Sequence, residues 1–202
     1  QLKTTLDTSP SKVGMLTGGA AQSALQAFGK TEMTLKGPQP TTTFMNTQKS
    51  RYVYTKKGGW IDMSHFMFYA GEANSRKTSG DKNPIGETMQ TGYLQEATDA
   101  LRAPWSAYSY EDLPSDLHGA TFGAQVFDPT SSSTLGEQIE QYLQSLGATS
   151  PANAPNYSLL PQDDTTAKTN WQNAPRGKGH GRNPGKRQVI ENRTTAPMYT
   201  SP

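Results

Sequence analysis

The sequence predicts an all-α protein, a small bundle of about four to five helices flanked by long extended, irregular N- and C-terminal arms. Three observations predict it. The large apolar residues are concentrated between Tyr52 and Leu146, although only 32% of the 202 residues are hydrophobic, a low share for a globular chain. Within that region apolar side chains recur at helical spacing. From Ala148 onward the period is lost, and Pro151, Pro155, Pro161, Pro175, Pro184, Pro197 and Pro202 punctuate a polar segment. The organisation expected is an N-terminal arm with one short helix (1–50), a helical core domain (51–147) and a Pro/Gly-rich extended tail (148–202), the bundle as a whole spanning roughly 14–147.

The elements follow in order. Residues 1–12 are polar and turn-rich. A helix starts near Gly19, with Leu25 and Phe28 on one side and Gly29 as its stop. Pro38, Pro40 and a threonine run make the next segment a linker. Tyr52, Val53 and Tyr54 favour an extended piece that Gly58 and Gly59 break. A second helix is expected from about Ile61 to Ser75. Pro84 suits the first turn of a third helix, where Ile85, Met89, Tyr93, Ala97 and Leu101 recur every four residues. Pro114 places a fourth helix start nearby, in which Gly119 and Gly123 would admit a neighbouring backbone. Thr134 caps a fifth, with Leu135, Ile139, Tyr142, Leu143 and Leu146 inward and Gly147 as its stop.

Composition removes several classes of function. With no cysteine there is no disulfide framework, thiolate zinc site or thiol nucleophile. A net charge of +2 does not by itself imply a nucleic-acid partner. No apolar run is long enough for a transmembrane helix. The sequence opens on Gln1 without a basic segment and apolar core, which fits a mature form or a piece of a longer chain, and points toward export.

Two clusters carry candidate chemistry. On a helix, Asp62, His65, Tyr69 and Glu72 fall at steps of three, four and three and share one face. An amphipathic helix with its polar side in water has the same spacing. The functional reading has Asp62 orienting His65, which acts as a base or a metal ligand. The aromatic crowding by Trp60, Phe68 and Tyr69 suggests instead a helix buried all round, whose polar face needs partners. In the second cluster, Glu111, Ser115 and His118 share a face, with Asp112 and Asp116 alongside. Acidic residues at a helix N-terminus also favour the macrodipole without any chemistry. If the two helices pack face to face, they offer a His₂–carboxylate metal site or a carboxylate pair for hydrolysis. The candidate catalytic residues are therefore Asp62, His65, Glu111, Asp112 and His118. Neither a metal nor a cofactor is named by any spacing, since H-E-x-x-H, G-x-S-x-G and P-loop patterns are all missing.

Partners are expected at the tail. Tyr157, Leu159, Leu160 and Trp171 are anchors for docking on the domain or on another protein chain. The glycine-rich basic segment 176–193 suits a polyanion, or is simply a solvated stretch.

Three stretches, "GGWIDMSHFMFYAG", "GYLQEATD…SAYSYEDLPSDLHGATFG" and "FDPTSSSTLGEQIEQYLQSLGAT", together resemble helical modules near the C-termini of large secreted Bacteroidota proteins of the RHS or polymorphic-toxin type. The resemblance covers roughly Tyr52 to Pro161. It implies secretion or a place at the cell surface. The expectation is an exported effector-like domain, a hydrolase acting on a cell-envelope polymer. The alternative is a non-enzymatic surface or assembly component whose arms wrap partner chains.

Overall fold

A computed structural model describes residues 13–31, 52–102, 112–149 and 153–154. Among the described residues, five α-helices and a three-stranded antiparallel sheet make up the fold. The helices are α1 (Gly18–Thr31), α2 (Met63–Thr78), α3 (Pro84–Arg102), α4 (Asp112–Thr121) and α5 (Leu135–Ser145). A short 3₁₀ turn, Val13–Met15, precedes α1. The strands are β1 (Tyr52–Thr55), β2 (Gly59–Asp62) and β3 (Ala148–Thr149), in the order β2-β1-β3. The all-α expectation holds, with this sheet as an addition.

The sheet exists because of one tight hairpin. Tyr52 pairs with Asp62 and Thr55 with Gly59, leaving residues 56–58 as the loop. Gly59 has φ +67°, the left-handed conformation that closes a three-residue hairpin loop. The Thr55 hydroxyl accepts from Gly58 N–H (3.0 Å) and donates to the Gly59 carbonyl (3.2 Å). The extended piece was legible in Tyr52–Tyr54, but its partner was not. "GWID" is a short apolar run continuous with the helix behind it, and periodicity does not separate the two. The helix therefore begins at Met63, not near Ile61, and Asp62 is its N-cap. At the far edge, Tyr54 pairs with Thr149 and Thr55 with Ala148, so the segment expected to turn irregular at Ala148 opens as a strand.

Helix α2 is the axis of the molecule. Phe66, Met67, Phe68, Tyr69, Ala70, Ala73 and Asn74 are all buried, so it is enclosed on nearly every side. This enclosure favours the second expectation for its polar face, partners rather than water. Its C-terminus closes in a Schellman arrangement: Gly80 N–H bonds the Lys77 carbonyl, Asp81 N–H bonds that of Arg76, and Gly80 has φ +85°.

Glycines set how closely the neighbours approach. A Cβ on Gly29 or Gly71 would collide with backbone across the α1–α2 contact, so Gly29 is a packing residue inside α1, not its stop. Gly119 lies against the Phe66 carbonyl and Gly123 against that of Ala70, the close approach the sequence suggested. After Thr121 the backbone widens into a π-helical turn, Phe122–Val126, closed by Phe127 N–H to the Phe122 carbonyl (2.7 Å). The Gly123 carbonyl accepts from Asn74 Nδ2 (2.9 Å), and Asn74 Oδ1 accepts from Gln26 Nε2 (3.0 Å). One buried amide thus ties α1, α2 and the π turn together.

The main core is formed by α1, α2, the π turn and α5, through Leu25, Phe66, Met67, Phe122, Ile139 and Leu143. The short helix of the N-terminal segment contributes Ala21, Leu25 and Phe28 to it. Helix α5 starts in a complete capping box between Thr134 and Glu137, and Gly147 (φ +78°) follows its end.

Candidate functional site

The site is built where the N-terminal halves of α2 and α4 meet the end of β2. The Asp62 N–H donates to Ser115 Oγ at 2.8 Å, fastening the end of β2 to α4. Asp62 Oδ1 accepts from Ser64 N–H at 2.8 Å, capping α2. One turn further, His65 projects toward α4. There Asp112 and Asp116, four residues apart, lie on one face.

The His65 imidazole sits between these two carboxylates. Nδ1 is 2.9 Å from Asp116 Oδ1, and Nε2 is 3.6 Å from Asp112 Oδ1. The side chains of Asp112 and Asp116 are buried at 5% and 1% exposure, whereas that of His65 retains 17%. The ring is thus the part of the cluster that solvent reaches. Asp62 is fully buried. Tyr69, one turn along α2, stacks on the His65 ring with centroids 6.1 Å apart. Gly92 of α3 lies over the same place: a Cβ there would stand 2.7 Å from Asp116 Oδ2 and 3.5 Å from the Tyr69 ring.

With Asp116 ionised, a group that only accepts, Nδ1 of His65 donates its proton to it across 2.9 Å. In the neutral ring the lone pair is then on Nε2, the nitrogen facing Asp112. One ligand-type atom each from Asp62, His65 and Asp112 lies within 4.8 Å of the others. Such a group can hold a water or a small cation. Three carboxylates around one imidazole can also move protons.

The expected residues divide accordingly. Asp62, His65 and Asp112 are brought together. Asp62 does not supply the bond at Nδ1, however. That partner is Asp116, which sequence reasoning placed only alongside. Its signal was the four-residue step from Asp112, which puts both on the face of α4 that meets α2. Ser115 is a second contributor, holding Asp62 through its backbone. Glu111 lies outside the described residues.

His118 has other company. Its Nδ1 is 3.1 Å from the Tyr142 hydroxyl, and its Nε2 edge abuts Gly58 in the hairpin loop. Burial holds its imidazole below the ordinary histidine value. Burial likewise pushes the Tyr142 phenol up to about 12, against a smaller opposing effect of a Thr121 hydrogen bond. The contacts of His118 therefore join α4 to α5 and the hairpin. The tail anchors Tyr157, Leu159, Leu160 and Trp171 and the basic segment 176–193 lie outside the described residues. No helix among the described residues is long and apolar enough to cross a membrane.

Comparison with protein families, curated proteins and solved structures finds no match to this chain.

Proposed function

We propose that this chain is a hydrolase whose water-activating centre is His65 with Asp62, Asp112 and Asp116. The observation that carries the reading is the placement of one part-exposed imidazole between two buried carboxylates on a different helix, 2.9 and 3.6 Å away. A ring held this way is fixed in orientation while one part of it still meets solvent, as a proton-transferring or metal-binding histidine requires.

The roles follow from position. Asp116 orients the ring through Nδ1. His65 acts on a water through Nε2, as a base or as a ligand. Asp112 is the neighbouring acid/base. In the reaction the water oxygen forms the new bond, its proton passes to a carboxylate oxygen of the cluster, and a proton follows the leaving group as the old bond breaks. The resemblance to C-terminal modules of exported proteins supports a role as a secreted or surface effector acting on a cell-envelope polymer.

The test is release of soluble fragments from isolated envelope polymers by the purified full chain, alongside His65→Gln. The expected result is release by the parent chain and a loss of at least about 100-fold in the variant. A well-folded His65→Gln protein that retains full activity or full toxicity on export would overturn the proposal.

A further inference from the structure

We infer that Asp62, His65 Nε2 and Asp112 form a binding site for one divalent transition-metal ion. This rests on the hydrolytic reading above and specifies it: the Nε2 lone pair is given to a cation, and the activated water is bound to that cation.

Two pieces of backbone far apart in sequence deliver the three ligands, the β2–α2 junction supplying Asp62 and His65 and the start of α4 supplying Asp112. Asp62 ends β2 and is pinned by its N–H to Ser115 Oγ, 2.8 Å away on α4. His65 stands in the first turn of α2, and Asp112 opens α4. Their donor atoms nonetheless converge to within 4.8 Å of one another, so a single ion can reach all three with small side-chain adjustments. Asp62 and His65 are neighbours across the first turn of α2, but Asp112 lies 47 positions beyond His65, so no local turn or helix repeat brings it to them.

A residue outside the ligand set supports the same conclusion. Asp116 receives the Nδ1 proton of His65 at 2.9 Å. Histidine ligands usually donate their second ring nitrogen to a carboxylate or carbonyl, which fixes the tautomer and raises the basicity of the ligating nitrogen. Here that arrangement is already made, and it aims Nε2 at Asp112. Asp116 is buried to 1% exposure, and Gly92 of α3 packs against its other oxygen, so the orienting group is itself held in place. The partial exposure of His65 leaves a route for the ion and for a water.

The donor set selects the ion class. One imidazole nitrogen and two carboxylate oxygens suit Zn²⁺, Mn²⁺ or Fe²⁺, since imidazole disfavours Ca²⁺ and Mg²⁺ and no thiolate is present. Three protein ligands leave a coordination position for water, the pattern of catalytic rather than structural centres.

The experiment is isothermal titration of the metal-stripped full chain with ZnCl₂ and, separately, MnCl₂, with Co²⁺ absorption as a spectroscopic readout. The expected result is one ion per chain. His65→Gln and Asp112→Asn should each abolish stoichiometric binding, whereas Asp116→Asn should weaken it by about 10- to 100-fold. Circular dichroism of each variant distinguishes a lost ligand from a lost fold. Asp62→Asn supplies a further ligand test, because asparagine also caps helices. Absence of binding by the folded parent, or binding that survives unchanged in the folded His65→Gln and Asp112→Asn variants, overturns the site. The two readings fail separately. Hydrolysis that persists after chelation with no ion bound removes the cation and leaves the hydrolase. Stoichiometric binding without any hydrolysis keeps the cation and removes the hydrolase.

Discussion

Nδ1 of His65 lies 2.9 Å from Oδ1 of Asp116, a bond between residues 51 positions apart that joins the first turn of α2 to the middle of α4. With Asp116 ionised it places the imidazole proton on Nδ1. Replacing Asp116 by asparagine keeps the shape of the side chain but permits the opposite tautomer. Under the proposed function, Asp116→Asn should lower hydrolysis by about 10- to 100-fold, with KM little changed. Steady-state kinetics at fixed pH checks this. An unchanged kcat would show that Asp116 only fills space.

Gly92 makes room for that carboxylate. A methyl group there would stand 2.7 Å from Asp116 Oδ2, closer than side-chain Cβ atoms approach their neighbours. Gly92→Ala should displace Asp116 and reduce activity, even though alanine favours the helix by about 0.5–1 kcal/mol. Paired measurements of kcat and melting temperature test it. Activity should fall further than any change in stability explains.

Packing glycines and free glycines should behave oppositely. Gly123 lies against the Ala70 carbonyl, so Gly123→Ala forces α2 and the π turn apart and should cost about 1–3 kcal/mol or more. Gly19, exposed near the start of α1, has nothing within 4 Å of its would-be Cβ. Gly19→Ala should therefore stabilise by about 0.5–1 kcal/mol. Urea unfolding of the two variants gives both numbers. Equal effects would contradict the close approach at Gly123.

His118 should make stability pH-dependent. Burial lowers its folded-state value below the ordinary 6.5. Above pH 6.5 the imidazole is neutral in folded and unfolded chains alike and contributes no pH dependence. As pH falls through 6.5 the unfolded chain takes up the proton first, so stability declines until the folded-state value is passed. The parent should lose more stability than His118→Asn between about pH 7 and 5. Chemical denaturation across that range measures the difference. Parallel curves for the two proteins would place His118 in a solvated setting.

The Thr134–Glu137 capping box is a control remote in role from the site. Thr134→Ala removes one half of it and should cost about 0.5–2 kcal/mol, with hydrolysis and ion binding unchanged.

The sequence by itself determined the helical class, because spacing and punctuation are local. Pro84, Thr134 and Gly147 mark helix ends through their own backbone chemistry, and the structure uses each at the position expected. Gly119 and Gly123 likewise announced a close approach. His65 stood out as a histidine on a crowded helix. The tertiary structure decided the rest. Whether "GWID" was strand or helix depended on β1 accepting it as a partner, and that pairing put Asp62 at a cap instead of on the helical face beside His65. Whether Gly29 ended α1 or packed within it depended on Gly71 across the interface. Which carboxylate orients His65 depended on how α4 lies against α2, a relation between segments about 50 residues apart that no local period encodes. Side-chain spacing along one element states which residues share a face. Only the packing of a second element states what that face meets.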